Sequence, residues 1–122
     1  MKIETRRIGD VVVFEIEGAF TPEERSRPRL DELVEEQLGG GARKVLIDMR
    51  RATPLGDVAV GDVLGAFVKV QNAGGKFKVV VSDEAYRLYC QLMIDWVVEL
   101  YDSVENALRA FDPATAGPNR AS

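Results

Sequence analysis

Apolar and polar positions alternate along the first 17 residues in two short blocks, Met1 to Arg7 and Val11 to Glu17, joined by Ile8-Gly9-Asp10. β-branched residues dominate both blocks and Gly-Asp supplies a turn, so the pattern predicts a hairpin. In the second block Val12, Phe14 and Ile16 fall on one face and Val13, Glu15 and Glu17 on the other, the profile of a half-exposed strand. The period then changes. Thr21-Pro22-Glu23-Glu24 has the form of a capping box with proline at the first helical position, and a helix is expected to start there or to restart after Pro28. Leu30, Leu33, Val34 and Leu38 recur at helical spacing until Gly39-Gly40-Gly41. Val45-Leu46-Ile47 is apolar without alternation, as in a strand covered on both faces. From Asp57 onwards Val60, Val63, Leu64, Phe67 and Val68 predict a second helix that closes at Gly74-Gly75. Phe77 to Val81 predicts a further strand. Ser82-Asp83-Glu84 opens a third helix with inner positions Ala85, Leu88, Tyr89 and Leu92. Trp96 to Leu100 predicts the last strand, and Asp102-Ser103-Val104-Glu105 opens a last helix that buries Ala107, Leu108 and Phe111. The order is ββαβαβαβα, an α/β arrangement in which crossover helices imply parallel pairing after an initial hairpin.

Length and charge narrow the function more than the fold. At 122 residues with 46% hydrophobic content, one domain over residues 1–111 is expected, followed by a flexible tail over 112–122 that contains only small, polar or proline residues after Asp112. Sixteen basic against 20 acidic side chains give a net charge of −4, which argues against a nucleic-acid partner because duplex binding needs a concentrated basic surface. No apolar run approaches the roughly 20 residues of a membrane span, and no signal-like block follows the first residues, so no membrane association and a cytoplasmic location are expected. The chain contains no histidine and one cysteine. A histidine-based triad, a histidine metal site and an internal disulfide are therefore excluded, and no cofactor or metal is expected.

The remaining candidates for chemistry are few. Phosphate-cradling loops, a dinucleotide-binding glycine pattern and a nucleophile elbow are all absent. Asp57 and Asp62 stand five positions apart, do not share a helix face, and read as solvated charges. Cys90, between Tyr89 and Gln91 with no base nearby in sequence, reads as a small buried hydrophobe. Tyr86, Tyr89, Trp96 and Tyr101 read as core or core-edge packing, with a partner surface as the alternative. Gly61 and Gly65 leave a thin helix face, for which close packing on the sheet is the plainer account. Arg25, Arg27 and Arg29 fit either an acidic partner or a solvated helix start. These residues describe a protein that binds and does not catalyse.

Val45-Leu46-Ile47-Asp48, a short loop, a turn of small residues, then Gly61, Leu64, Phe67 and Gly74-Gly75 resembles the centre of STAS domains, the anti-sigma factor antagonist family. The resemblance extends over Val11 to Gly18, Val79-Val80-Val81-Ser82 and Asp102 to Leu108, nearly the whole chain up to Phe111. It implies a mixed sheet with helices mainly on one face. It also implies a bacterial regulator of transcription that works by partner switching: the antagonist binds an anti-sigma factor kinase, and the kinase phosphorylates a serine at a helix start. Counted without gaps from Asp48 to Gly74-Gly75, the acceptor's position is Asp57, which has no hydroxyl. Asp57 can cap its helix and can also stand as a permanent, smaller counterpart of a phosphate at a helix N-terminus. Thr53, the nearby hydroxyl, precedes Pro54 and does not align with the acceptor. The partner surface implied by the resemblance comprises Ala19, Phe20, Thr21, Thr53, Pro54, Leu55, Gly56, Asp57, Val58, Ala59 and Gly61. The alternative is a structural or scaffolding STAS protein that self-associates, as a homodimer or as a subunit of a larger complex.

Overall fold

A computed structural model describes residues 2–19, 29–53 and 57–111, and at 57 and 58 the backbone alone. Two strands, β1 (Lys2–Ile8) and β2 (Val11–Ala19), form the antiparallel hairpin, with Ile8 opposite Val11 across the Gly9-Asp10 turn. Then follow α1 (Leu30–Gly39), β3 (Lys44–Thr53), α2 (Asp57–Asn72), β4 (Lys76–Val80), α3 (Asp83–Gln91), β5 (Glu99–Tyr101) and α4 (Val104–Phe111). The five strands make one sheet in the order β1-β2-β3-β4-β5, and every pair after the hairpin is parallel. Element order and mixed α/β class agree with the sequence pattern.

Alternation along β3 shows how the sheet is covered. Val45, Ile47 and Met49 point into a large cluster with Leu30, Val34 and Leu38 of α1, Ala59, Val63, Ala66 and Val70 of α2, and Ala85 and Tyr89 of α3. Leu46 points the other way, into a smaller cluster of Val11, Val13 and Val80 with Ala107 and Phe111 of α4. Three helices thus cover one face, and α4 covers part of the other. This corrects the half-exposed reading of β2: Val13 is fully buried because α4 lies over it, and only Glu15 and Glu17 run out beyond that cover. Lys78, also on the α4 face, is buried as well. Its ammonium lies 5.0 Å from the Phe111 ring centre and 5.3 Å from that of Tyr101, and is 2.7 Å from the Glu99 carboxylate.

Helix ends follow from local chemistry. α1 starts after Pro28, where Glu32 accepts the Arg29 amide at 2.9 Å; the Thr21–Glu24 box lies outside the described residues. Ser82 Oγ accepts the Ala85 amide at 3.2 Å, as the sequence suggests. At α4 it is Ser103, not Asp102, that caps, accepting the Asn106 amide at 3.1 Å, while Asp102 binds the Asn106 side chain. α2 closes with paired bonds from Gly74 N to Gln71 O (3.0 Å) and Gly75 N to Val70 O (2.9 Å), Gly74 taking φ +76°. A Cβ on Gly75 would strike the Arg43 carbonyl and sit 2.9 Å from Val70, so this glycine lets β4 start directly beside β3.

Four local expectations differ from the structure. Trp96 belongs to a 3-10 turn, Ile94–Trp96, and the last strand is only Glu99–Tyr101. Leu92 caps α3 and Val68 lies on the outer side of α2, both half exposed. Gly65 faces Asp31 of α1 rather than the sheet, and a Cβ on Gly61 would meet nothing. Residues 112–122, expected as a tail, lie outside the described residues.

Candidate protein-binding site

Strand register sets Ala19 and Thr53, two residues of the surface implied by the resemblance, side by side. β2 and β3 run parallel and end together, Gly18 beside Ala52 and Ala19 beside Thr53. Between Asp48 and Arg51, β3 carries one residue more than the facing stretch of β2, a bulge just before the strand leaves the sheet. Segments 20–28 and 54–56 therefore leave from adjacent strand ends, and α2 begins directly after the second of them. Thr53 is exposed and Ala19 half-buried. Phe20, Thr21, Pro54, Leu55 and Gly56, and the side chains of Asp57 and Val58, lie outside the described residues, as do Arg25 and Arg27.

Asp57 is the first residue of α2. In the first turn of a helix, free backbone amides and the helix dipole favour an anion. One turn on, Gly61 is exposed, on the same side of the helix as Asp57, and adds no side-chain bulk there. Ala59 is fully buried, so it anchors this turn in the core and offers no side chain to a partner. Asp62 corrects the reading of a solvated charge: it is buried and engaged within the chain. Position 62 lies at the margin of the inward stripe of Ala59, Val63, Ala66 and Val70, so the packing of α2 and not the spacing decides its burial.

Other candidates fall elsewhere. Cys90 is half-buried, and interaction with its thiol is the chief cause that raises the pKa of the exposed Tyr86. Tyr89 is buried as expected, its hydroxyl 3.8 Å from the Met49 sulfur and its pKa pushed up by burial to about 12. Tyr86 and Trp96 are exposed, against the core reading. A charged cleft on the α4 side is lined by Lys2, Glu4, Glu15, Glu17, Asp48 and Arg50. Its charges are matched internally: Lys2 pairs with Glu4, Arg6 with Glu15, and Arg50 with Asp48. Asp48 accepts the Arg50 amide at 3.2 Å and its guanidinium at 3.0 and 2.8 Å. Burial opposes ionisation of Asp48, but these bonds and the charges of Arg50 and Arg51 outweigh it and hold the carboxyl below the usual aspartate range. Among the described residues no group of three or more acidic, cysteine or histidine side chains is placed to hold a metal, and no helix is long and apolar enough to cross a membrane.

The hairpin, the three parallel additions and the crossover helices together make the STAS fold, the fold of anti-sigma factor antagonists. An anti-sigma factor antagonist from Mycobacterium paratuberculosis superimposes with a TM-score of 0.76 over 89% of this chain and 92% of that one, at 21% identity. The anti-sigma factor antagonist SpoIIAA in its unphosphorylated form gives 0.66 over 88% and 94% at 14% identity. The Thermotoga maritima protein TM1081 gives 0.73 over 88% and 86% at 17% identity. No family model matches the chain, and no curated protein matches it in sequence. At these identities the likeness carries the fold alone.

Proposed function

We propose that this chain is a non-enzymatic, protein-binding regulator that acts as an anti-sigma factor antagonist in a partner-switching pathway, with an anti-sigma factor kinase as its partner. The contact surface is the end of the sheet where β2 and β3 finish: Ala19, Phe20, Thr21, Thr53 to Val58 and the exposed Gly61. The observation that carries this reading is the register of Ala19 beside Thr53: β2 and β3 end side by side, and α2 starts four residues after Thr53. The fold shared with solved antagonists supports it. Asp57 supplies a fixed charge at the first turn of α2 and no hydroxyl, so the chain is not phosphorylated at this position.

The test is incubation with an anti-sigma factor kinase and labelled ATP. The native chain should take up no label, and Asp57→Ser should take it up at residue 57. Labelling of the native chain on Thr53 would move the switch to that hydroxyl. Light scattering separates the scaffolding alternative, which requires self-association that grows with concentration, from a monomer that waits for a different protein.

A further inference from the structure

The two edges of the sheet are finished differently. β5 is three residues long, whereas β1 presents seven, Lys2–Ile8, paired with β2 on one side and with no described strand on the other. Neither a proline nor a bulge interrupts β1, and those are common means of blunting an edge. Glu4, Thr5, Arg6 and Arg7 are exposed in succession, so no described helix lies over the middle of the strand on either face. The turn that follows decides which backbone groups face outward. Gly9 takes φ +62° in a two-residue loop, the form in which the flanking residues, Ile8 and Val11, make the closing hydrogen-bonded pair. Even positions of β1 therefore bond β2, and the amides and carbonyls of Ile3, Thr5 and Arg7 point out from the edge.

The side chains of β1 select the occupant. Two copies of one edge pair antiparallel about a two-fold axis normal to the sheet, which centres the register on one residue and keeps each side chain on its own face. Centred on Thr5, the register sets Glu4 opposite Arg6 of the second copy twice over, Lys2 opposite Ile8 and Arg7 opposite Ile3, so no like charges meet across the junction. Centring on Glu4 would oppose Glu4 to itself and Lys2 to Arg6, and centring on Arg6 would oppose two arginines. Centring on Ile3 or Arg7 leaves only three residues of each strand in overlap. Within one chain Glu4 stands directly opposite Glu15, a like charge, with Lys2 at 2.9 Å along its own strand, and its outer flank is the open edge. A cation fits that flank, and Arg6 of the second copy brings it while its own Glu15 stays 3.2 Å away. We infer that β1 is a homotypic docking edge, through which two copies of this chain join their sheets in the antiparallel register centred on Thr5. The backbone bonds of three residues from each copy and two exposed ion pairs make a small interface of the transient class, so the dilute chain stays a monomer and the pair forms towards millimolar concentration. The two-fold axis closes it at two copies, unlike an open-ended scaffold.

Sedimentation equilibrium of the full chain, at concentrations rising to the millimolar range, tests this. The native chain should pass from monomer to dimer and stop there. Glu4→Arg sets arginine against arginine across the junction and Arg6→Glu sets glutamate against glutamate, and each should weaken the dimer about tenfold or more. An equimolar mixture of these two variants should recover it, because the cations of one then meet the carboxylates of the other. Thr5→Pro removes an outward amide and leaves the bonds between β1 and β2 in place, so it should abolish pairing while the circular dichroism stays native. The mixture decides the matter even where Thr5→Pro fails to fold. A native chain that stays monomeric at millimolar concentration, association that continues past two copies, or single charge variants that dimerise like the native chain overturn the inference. So does a mixture that pairs no better than its components, or pairing by a folded Thr5→Pro.

Discussion

Asp48 stays ionised although it is buried, because Arg50 binds it through both its amide and its guanidinium. A carboxyl held below its unfolded value of 3.8 contributes stability that is fully present above that pH and is lost as pH falls through the lower, folded value. Thermal denaturation should therefore show a steeper acid loss below about pH 4 in the native chain than in Asp48→Asn, whose amide cannot titrate. Tyr89 works in the opposite direction. Its hydroxyl titrates near 10 when unfolded and about 12 when folded, so its contribution is complete below pH 10 and declines as pH rises from there towards 12. Tyr89→Phe should abolish that part of the alkaline loss while keeping the ring packed, and denaturation scans from pH 9 to 12 would show it as a flatter profile. The burial of Tyr89 followed from its helical spacing, whereas the environment of Asp48 was not evident from the sequence. The Asp48–Arg50 contact depends on two side chains on one face of β3, and the sequence pattern placed the end of that strand at Ile47 rather than Thr53.

At the scale of elements, glycines that look alike in sequence do opposite work. Gly61 sits in the interior of α2 with open space where a Cβ would be, so Gly61→Ala should stabilise the chain by about 0.5–1 kcal/mol through the entropy of the unfolded state. Gly75 lies against the Arg43 carbonyl and Val70, and Gly75→Ala should cost about 1–3 kcal/mol, since backbone must shift to admit the methyl. Urea titrations of the two variants check both signs. The glycine runs at 39–41 and 74–75 were legible as helix ends because that chemistry is local. Long-range contacts were not: α4 turns the outer face of Val13 into core, and no spacing near Val13 announces a helix that begins at Val104. Trp96 was misread for a similar reason. Its aromatic, β-branched surroundings have strand composition, yet the Met93 turn directs the side chain into water.

Across the whole molecule, the two faces of the sheet are unequally protected. Among the described residues α4 is the one helix on its side, through Ala107 and Phe111, and Phe111 also lies against the buried Lys78 ammonium. Phe111→Ala should therefore destabilise the entire fold by about 3–5 kcal/mol, more than an average core truncation of one methylene, and should do so in a single cooperative transition. The overall architecture was the most readable level, since hairpin, alternating helices and strands, and helix ends all followed from local periodicity. For the proposed site the sequence offered positions along the chain and nothing of their packing: register joins Ala19 to Thr53, whereas the burial of Ala59 and Asp62 emerges only when α2 is packed. The central claim is that the end of the sheet at Asp57 binds a protein partner and that its charge matters. Calorimetric titration of an anti-sigma factor kinase with the native chain, Asp57→Ser and Asp57→Arg tests it most directly. The account predicts that the charge reversal weakens binding by about tenfold or more and that the serine variant binds differently from the native chain. Three indistinguishable isotherms would contradict it.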